Sequence, residues 1–247
     1  MPQESGAVVE VIELASWREG SDLPSWLLSW NKNAQADVQT MGAVYDYLNK
    51  DRRWADQAKL FLEGGSCPLS GDIQLDWPAT ESKPAELRKV NSYRFSWHAL
   101  QPVLILMTYR NNTGDLSALF AARDFLNTWL EASYFSVEDD HKYAWYDHGT
   151  AERLLAMLLV WVAGLEERFD CRFMLRLRAA IFSHAQLLAS ESFYASHQRT
   201  RYHNHAWFQD LALIAVAQIM RDFRPAKRWQ KIAVDRLTDQ FDHLIVR

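Results

Sequence analysis

Apolar residues recur at helical spacing through most of the chain after residue 90. This periodicity predicts helices over about 96–109, 114–132, 147–166, 172–191, 204–221 and 225–244. Turn-forming residues separate each of these segments from the next, and no confident strand pattern interrupts them. Helical hairpins of this length are typical of an α-solenoid or an α/α toroid, so the pattern predicts an all-α fold.

The first ninety residues are less regular. Residues 1–20 are predicted to form an arm with a short strand at 8–14, and residues 51–63 to form a helix that the glycines at its end terminate. Residues 64–90 contain three prolines and are predicted to be a long loop of the kind that often serves function. We expect one domain over residues 1–247, with the regular hairpins in 91–247.

The amino-acid composition supports one folded domain and indicates which classes of binding partner to expect. The 247 residues are 49% hydrophobic, which is enough for a substantial core. The 11 tryptophans belong mostly to that core, although their excess also fits a groove that stacks on sugar rings. A net charge of −4 provides no general basic surface, so we expect no nucleic-acid partner. Cys67 and Cys171 lack ligand spacing; free buried thiols are favoured, and a single disulfide stays open.

The N-terminal segment and the apolar runs bear on location. Residues 1–20 carry several acidic residues and no basic segment leading into an apolar core, so no signal peptide is predicted. The longest apolar runs are too short or too interrupted to cross a bilayer, so we expect no membrane insertion. The chain as written is therefore predicted to be cytoplasmic, and a processed fragment would be periplasmic or secreted.

Three of the predicted helices begin with aromatic and imidazole side chains. Helices in hairpins alternate in direction, so every second helix begins at the same end of the fold, called the rim below. The clusters are Ser96-Trp97-His98, Trp145-Tyr146-Asp147-His148 and His203-Asn204-His205-Ala206-Trp207. Because the N–H groups and the dipole at a helix N-terminus both favour anions, the rim is predicted to bind a negatively charged ligand.

Asn204 and His205 are the residues best suited to chemistry on such a ligand. An amide donates hydrogen bonds to a carboxylate without carrying charge, and an imidazole gives or takes a proton near neutral pH. Together they suit the removal of a proton next to a carboxylate, where enolate-like charge must be stabilised. The structural alternative is that Asn204 only caps the helix and His205 packs beneath it.

A second candidate group lies at the start of the helix predicted over 147–166. His148 and Glu152 share a helix face, and Arg153 lies one position further on. In the functional interpretation His148 faces the ligand and Arg153 binds or orients its carboxylate. In the structural interpretation Asp147 is an N-cap and the other residues form a surface pair.

Other chemistries find little support in the sequence. The histidine spacing would permit a metal ligand pair, but there is no HExxH or paired-cysteine motif, so no metal is predicted. Motifs for serine hydrolases, phosphate loops and dinucleotides are absent from the sequence, and we expect no cofactor. A glycosidase needs two apposed carboxylates, and Asp210 lies too far along its helix to pair well with Asp147.

Two of the segments above resemble a known family. YAWYDHGTAERLLAMLLVW (143–161) and NHAWFQDLALIAVA (204–217) resemble the α/α-toroid domain of the heparinase II/III-like and alginate lyase-like superfamily. IQLDWPA (73–79), SWHALQPVLILMTY (96–109) and Trp129 fit the same domain. The resemblance covers about residues 70–247. It implies an incomplete (α/α) toroid of antiparallel helical hairpins.

The resemblance also implies an activity. Such enzymes are polysaccharide lyases that cleave uronic-acid polysaccharides by β-elimination at the uronate C5 and O4, without consuming water. Asn204 would then neutralise the uronate carboxylate, and His205 would act as the base or a second neutralising group. The remaining rim residues would bind the acidic polysaccharide: Trp97, His98, Trp145, Tyr146, His148, Arg153, Tyr202 and His203.

The family pattern extends beyond this sequence in two respects. Its catalytic tyrosine comes further after the Asn-His pair than Arg247, and its C-terminal β-sandwich supplies another histidine. We therefore expect the N-terminal toroid of a longer protein or a shortened relative, with Tyr143, Tyr146 or Tyr202 as substitutes for the acid. The alternative function is a non-catalytic carbohydrate-binding or scaffold domain in capsule or exopolysaccharide production.

Overall fold

The computed structural model describes residues 54–64, 66–68, 74–76, 91–132, 144–196 and 201–245. The helices are α1 (Trp54–Gly64), α2 (Asn91–His98), α3 (Gln101–Thr113), α4 (Leu116–Ala132), α5 (Asp147–Glu166), α6 (Cys171–Ala189), α7 (Glu191–Ser196), α8 (Asn204–Ile219) and α9 (Ala226–Ile245). The predicted all-α class is confirmed. The described helices include none that is both long enough and apolar enough to cross a membrane.

Most of the helix predictions after residue 90 agree with the structure. Helix α5 has the predicted bounds, and α8 begins at the predicted residue Asn204. The helix predicted over 96–109 is wrong, because the chain forms two helices there, α2 and α3. Between them Leu100 adopts a left-handed conformation with φ 56°. Pro102 fits only the first turn of a helix, so it favours a new start at this point.

The region predicted as a long loop contains regular structure. Strands β1 (Ser66–Pro68) and β2 (Gln74–Asp76) pair antiparallel, with Cys67 opposite Leu75. The prediction of a long loop over 64–90 did not include these two short strands. The predicted arm over 1–20 and its short strand lie outside the described residues. Helix α1 ends at Gly64, close to its predicted end.

The helices form two layers. Helices α3, α5 and α8 are neighbours in an inner layer, while α4, α6 and α9 each pair with the inner helix that precedes them. The inner helices are parallel, because Gln101 near the start of α3 bonds Glu152 of α5, and Arg110 near its end pairs with Glu166. Their N-termini therefore lie on one rim, as the alternation of hairpins predicts.

A single apolar core joins the two layers. It extends from Ala58 in α1 to Ala233 in α9, and Trp129, Trp161 and Trp229 are fully buried in it. Most residues of α5 and α8 are buried, as their apolar sequences predict. Cys171 is a free thiol that is only partly buried.

The end of α5 packs closely against the start of α6. A Cβ atom at Gly164 would lie 2.8 Å from Cδ2 of Phe169 and 2.9 Å from Sδ of Met174. Both distances are shorter than a Cβ atom normally tolerates, so the side chains of Phe169 and Met174 would have to shift to accept a larger residue at position 164.

The substitution Gly164→Ala is expected to lower the free energy of unfolding by about 1–3 kcal/mol, because the methyl group overpacks the α5–α6 hairpin. Urea denaturation monitored by circular dichroism measures the change. Gly64→Ala is the matched control, since a Cβ there meets nothing within 4 Å. Its effect should stay within about 0.5 kcal/mol. Equal midpoints for the two variants would contradict the expected overpacking.

Candidate functional site

The starts of α5 and α8 lie side by side on the rim. Nδ1 of His205, in the first turn of α8, is 3.3 Å from Oδ1 of Asp147, the first residue of α5. The two residues are 58 positions apart in sequence, so the contact depends on the packing of the parallel inner helices. This contact defines the centre of the candidate site.

Neither helix start is capped in the way that its sequence suggested. The N-cap residues are Tyr146 for α5 and His203 for α8, and neither side chain makes a capping hydrogen bond. The interpretations of Asp147 and Asn204 as N-caps are therefore wrong, because each is the first residue inside its helix. At the start of α5 the Asp147 carboxylate accepts the backbone N–H of His148, whereas the start of α8 has no capping side chain and keeps its preference for an anionic ligand.

Five aromatic and imidazole rings surround the two starts, and we call them the rim cluster: Tyr146, His148, His203, His205 and Phe208. The ring of His205 lies 5.0 Å from that of His148, 4.9 Å from that of His203 and 5.6 Å from that of Tyr146. His148 in turn stacks on Phe208 at 4.4 Å. The structure thus brings together four of the residues predicted to bind or act on substrate, with His205 in the middle.

Asn204 is the first residue of α8 and precedes His205 in the chain. Its side chain is exposed, as is that of His203, whereas His205 is mostly covered and retains 17% side-chain exposure. Asn204 is therefore accessible to a ligand that approaches from the solvent.

His148 faces Glu152 on the other side of the cluster. Its Nε2 lies 3.1 Å from Oε1 of Glu152, but the angles are not those of a hydrogen bond, so the pair is a close polar contact. Glu152 also accepts a hydrogen bond from Gln101 at 3.3 Å. The predicted surface pair of His148 and Glu152 is present and is largely covered by its neighbours.

Tyr146 is the described tyrosine whose ring meets His205. Burial, followed by the nearby Asp147 carboxylate, raises the pKa of the Tyr146 hydroxyl above its ordinary value. The hydroxyl therefore stays protonated at neutral pH and is able to donate. This property matters for any reaction in which a leaving oxygen must be protonated.

Tyr202 is held against α9. Its ring stacks on His243 with centroids 3.7 Å apart, and its hydroxyl donates to Asp239 at 3.3 Å. Arg201 donates to the same carboxylate at 2.9 Å. Tyr202 thus lies at the edge of the rim with its hydroxyl engaged, and Tyr143 lies outside the described residues.

Arg153 is completely buried. It donates to the backbone carbonyls of His98 and Ala144, and its Nε donates to Nε2 of His184 at 2.8 Å. The predicted contact between Arg153 and a ligand carboxylate does not fit this position, because the guanidinium faces protein acceptors on all sides. Its place in the structure is beneath the rim, where it holds adjoining segments together.

The other three predicted binding residues also lie among buried groups. His98 is 3% exposed and accepts a hydrogen bond from Trp129, while Trp97 packs on Phe125 with ring centroids 4.9 Å apart. Trp145 contacts His184 and the Arg153 guanidinium. The sequence placed Trp97 and His98 on the first turn of a rim helix, whereas they form the end of α2.

The hydrolase and metal alternatives gain nothing from the geometry. Asp147 and Asp210 are both under 2% exposed, so this carboxylate pair does not face a common ligand. No group of three or more potential metal ligands is assembled within the described part of the chain.

Sequence patterns missed two residues and one contact of the site. Phe208 is three residues after His205, and this spacing places both side chains on one helix face, so the presence of Phe208 at the rim had a detectable signal. Gln101 and the pairing of Asp147 with His205 had none, because both contacts join residues more than fifty positions apart.

The fold resembles that of a solved polysaccharide lyase. The structure described as heparan sulfate lyase HepC from Pedobacter heparinus superposes with a TM-score of 0.57 at 14% sequence identity, over 78% of this chain. The matched region is 30% of that chain, so this sequence spans less than a third of the lyase. No family profile and no curated protein sequence matches this chain. The similarity shows that this chain shares the (α/α)-toroid fold of that region of the lyase.

Proposed function

We propose that this chain binds a uronic-acid-containing acidic polysaccharide at the rim and cleaves it by β-elimination. The observation that supports this proposal most directly is the position of His205 at the start of α8, partly covered and flanked by the imidazoles of His148 and His203, with the exposed Asn204 next to it in the chain. The fold similarity to a heparan sulfate lyase supports the same reaction class.

In the proposed reaction Asn204 donates hydrogen bonds to the uronate carboxylate. This interaction stabilises negative charge as the proton leaves C5. His205 takes the C5 proton, the C4–O bond breaks, and a C4=C5 double bond forms. Tyr146 is the proposed donor of a proton to the leaving oxygen, since its hydroxyl stays protonated and its ring lies against His205.

The imidazole and aromatic groups of the rim suit a polysaccharide that carries carboxylates. His148 and His203 flank His205, and protonation of either would add positive charge close to the bound carboxylate. Phe208 and Tyr146 offer ring faces or edges of the kind on which sugar rings pack. Arg153 contributes indirectly, through the position of the rim segments that it holds.

Asn204→Ala and His205→Ala are each expected to reduce the rate of uronate elimination by about 10²–10³, the usual loss when one stabilising group is removed from a transition state. The measurement is the absorbance of the unsaturated uronate formed from alginate, heparan sulfate, hyaluronan and glucuronan. Asn111→Ala is the matched control, because Asn111 is exposed near the opposite end of α3. Unchanged rates in both rim variants would refute the site assignment.

The second candidate function is carbohydrate binding without cleavage. It is favoured by the rings of Tyr146 and Phe208 beside the rim histidines, because aromatic rings pack against sugars without any chemical step. Isothermal titration with the same four polymers separates the two functions. Binding that Asn204→Ala weakens, without any unsaturated product, would establish a binding domain and reject the lyase proposal.

A further inference from the structure

Asp147 is a buried carboxylate in contact with the central imidazole of the rim. It is 1% exposed and begins α5, directly beside the first turn of α8. Its Oδ1 accepts the backbone N–H of His148 at 2.7 Å and lies 3.3 Å from Nδ1 of His205. One oxygen atom therefore meets two nitrogen atoms from different helices.

The shared oxygen determines the protonation of the His205 ring. Oδ1 accepts the His148 N–H, so this oxygen atom acts as a hydrogen-bond acceptor at this position. A hydrogen bond to Nδ1 of His205 then requires that Nδ1 carries a proton. In a neutral imidazole only one nitrogen is protonated, so Nε2 has the free lone pair.

The other ring nitrogen is placed to act on a ligand. Nε2 of His205 makes no hydrogen bond to any of the described residues, and the side chain keeps part of its surface exposed. An imidazole fixed through Nδ1 with Nε2 open is the geometry of a general base that is oriented by a carboxylate.

We propose that Asp147 is the positioning residue that holds His205 in the Nδ1–H tautomer and so makes Nε2 the proton acceptor of the rim. The inference rests on the proposed function for its catalytic meaning. The tautomer itself is a property of the folded chain that needs no substrate.

Neighbouring His148 does not have the same arrangement. Its Nε2 contacts Glu152 without hydrogen-bond geometry, and its ring stacks on Phe208. Of the two adjacent imidazoles, only His205 is therefore fixed by a buried carboxylate oxygen. Glu152 provides a matched control, because it is an acidic residue of the same helix that touches the neighbouring ring.

The tautomer is measured by 15N NMR of the full chain with labelled histidine, at a pH where the imidazoles are neutral. The native His205 should show a protonated Nδ1 and an unprotonated Nε2. Asp147→Ala should shift the ring toward the Nε2–H form, whereas Asp147→Asn, whose amide oxygen still accepts, should largely retain the Nδ1–H form. Glu152→Gln should leave the His205 signals unchanged.

Two results would overturn the proposal: an Nε2–H tautomer in the native protein, or no change of tautomer in folded Asp147→Ala. Circular dichroism establishes that the variants are folded. If Asp147→Ala does not fold, the native spectrum decides the question, since the proposal requires Nδ1–H there.

Kinetics separates this inference from the function on which it rests. With an active polymer, Asp147→Ala should lower kcat by about 10²–10⁴ with a smaller change in KM, as when a carboxylate that orients a base is lost. Asp147→Asn should retain more activity, because the His148 N–H keeps the amide oxygen, and not the amide nitrogen, directed at Nδ1. A native Nδ1–H tautomer without elimination of any uronate polymer would reject the lyase function alone. Full activity in folded Asp147→Ala would reject the positioning role alone.

Discussion

Replacement of Arg153 with methionine is expected to lower the free energy of unfolding by about 3–5 kcal/mol, the largest loss of stability that we predict for a single substitution. The change would remove the donor from three buried acceptors: the carbonyls of His98 and Ala144, and Nε2 of His184. Each unsatisfied buried group costs about 1–3 kcal/mol. Chemical denaturation followed by circular dichroism would measure the loss.

The surroundings of Arg153 explain why methionine does not compensate. Burial, and then the Arg153 charge, lowers the pKa of His184 well below its ordinary value, so His184 is neutral and its Nε2 accepts from the guanidinium. The guanidinium also lies 4.5 Å from the centre of the Trp129 ring. Methionine fills much of the volume but provides neither the donors nor the cation–π contact.

Two further variants make the Arg153 experiment specific. Arg176→Met is the control, because Arg176 is partly exposed on α6 and pairs with an exposed Glu131; its cost should stay within about 0.5 kcal/mol. Arg153→Lys should fall between native and Arg153→Met, since lysine keeps the charge but lacks the planar fork. A loss below about 1 kcal/mol in Arg153→Met would show that these hydrogen bonds are not important for stability.

Asp210→Asn is expected to abolish a pH dependence of stability that amounts to about 4 kcal/mol in the native protein. Asp210 is fully buried between α8 and α9, and burial raises its pKa from 3.8 to about 7. The opposing influences of Arg236 and Gln240 are smaller. A pKa difference of this size between folded and unfolded states gives the stated energy.

The direction of this dependence follows from proton binding. Between pH 4 and pH 7 the folded chain keeps a proton on Asp210 that the unfolded chain has lost. The stabilisation that Asp210 contributes is therefore fully present below pH 4 and is lost as the pH rises through about 7. An asparagine resembles the protonated acid and cannot ionise. The unfolding free energy of the variant should therefore increase relative to that of the native protein as the pH increases.

The measurement is the unfolding free energy of both proteins at intervals from pH 4 to pH 8. The difference between them should grow in favour of Asp210→Asn across this range. Asp235→Asn, at an exposed position on α9, is the control and should follow the native curve. Parallel curves for native and Asp210→Asn would mean that Asp210 is ionised throughout and is matched by Arg236, 3.7 Å away.

The contacts of Asp210 show why the group tolerates burial as an acid. Nε2 of Gln240 donates to its Oδ2 at 2.7 Å, and the same nitrogen contacts the Tyr194 hydroxyl at 3.1 Å. Burial raises the pKa of that hydroxyl to about 12, so Tyr194 is neutral as well. A protonated Asp210 completes a neutral hydrogen-bonded group between the helices.

The order of the helices and their common rim were predictable because both arise from local signals. Apolar spacing fixes which segments are helical, and turn residues fix where they stop, so α5 agrees with its prediction at both ends. The break after α2 was missed, because the signal from Pro102 competes with apolar spacing that continues through it. The left-handed conformation of Leu100 has no signal of its own, since it is not a glycine.

The chemistry of individual polar residues was less predictable. Asn204 and Asp147 are both small polar residues at the first position of a helix, yet Asn204 is exposed and Asp147 is buried. Arg153 was expected to meet a ligand because arginine binds carboxylates well, yet its neighbours from α2 and α6 enclose it. Burial of a charged residue depends on the segments that pack over it, and those segments are distant in sequence.

The sequence by itself determined the helical hairpins, the parallel inner helices and the placement of His148, Asn204 and His205 at one rim, because helix period and turn chemistry act over a few residues. Only the tertiary structure decided which of these groups work together. It placed the Asp147 oxygen against Nδ1 of His205, 58 positions away, and thereby fixed which nitrogen of His205 is open to a ligand. Such a contact depends on the distance between two packed helices, and no local pattern in either helix encodes that distance.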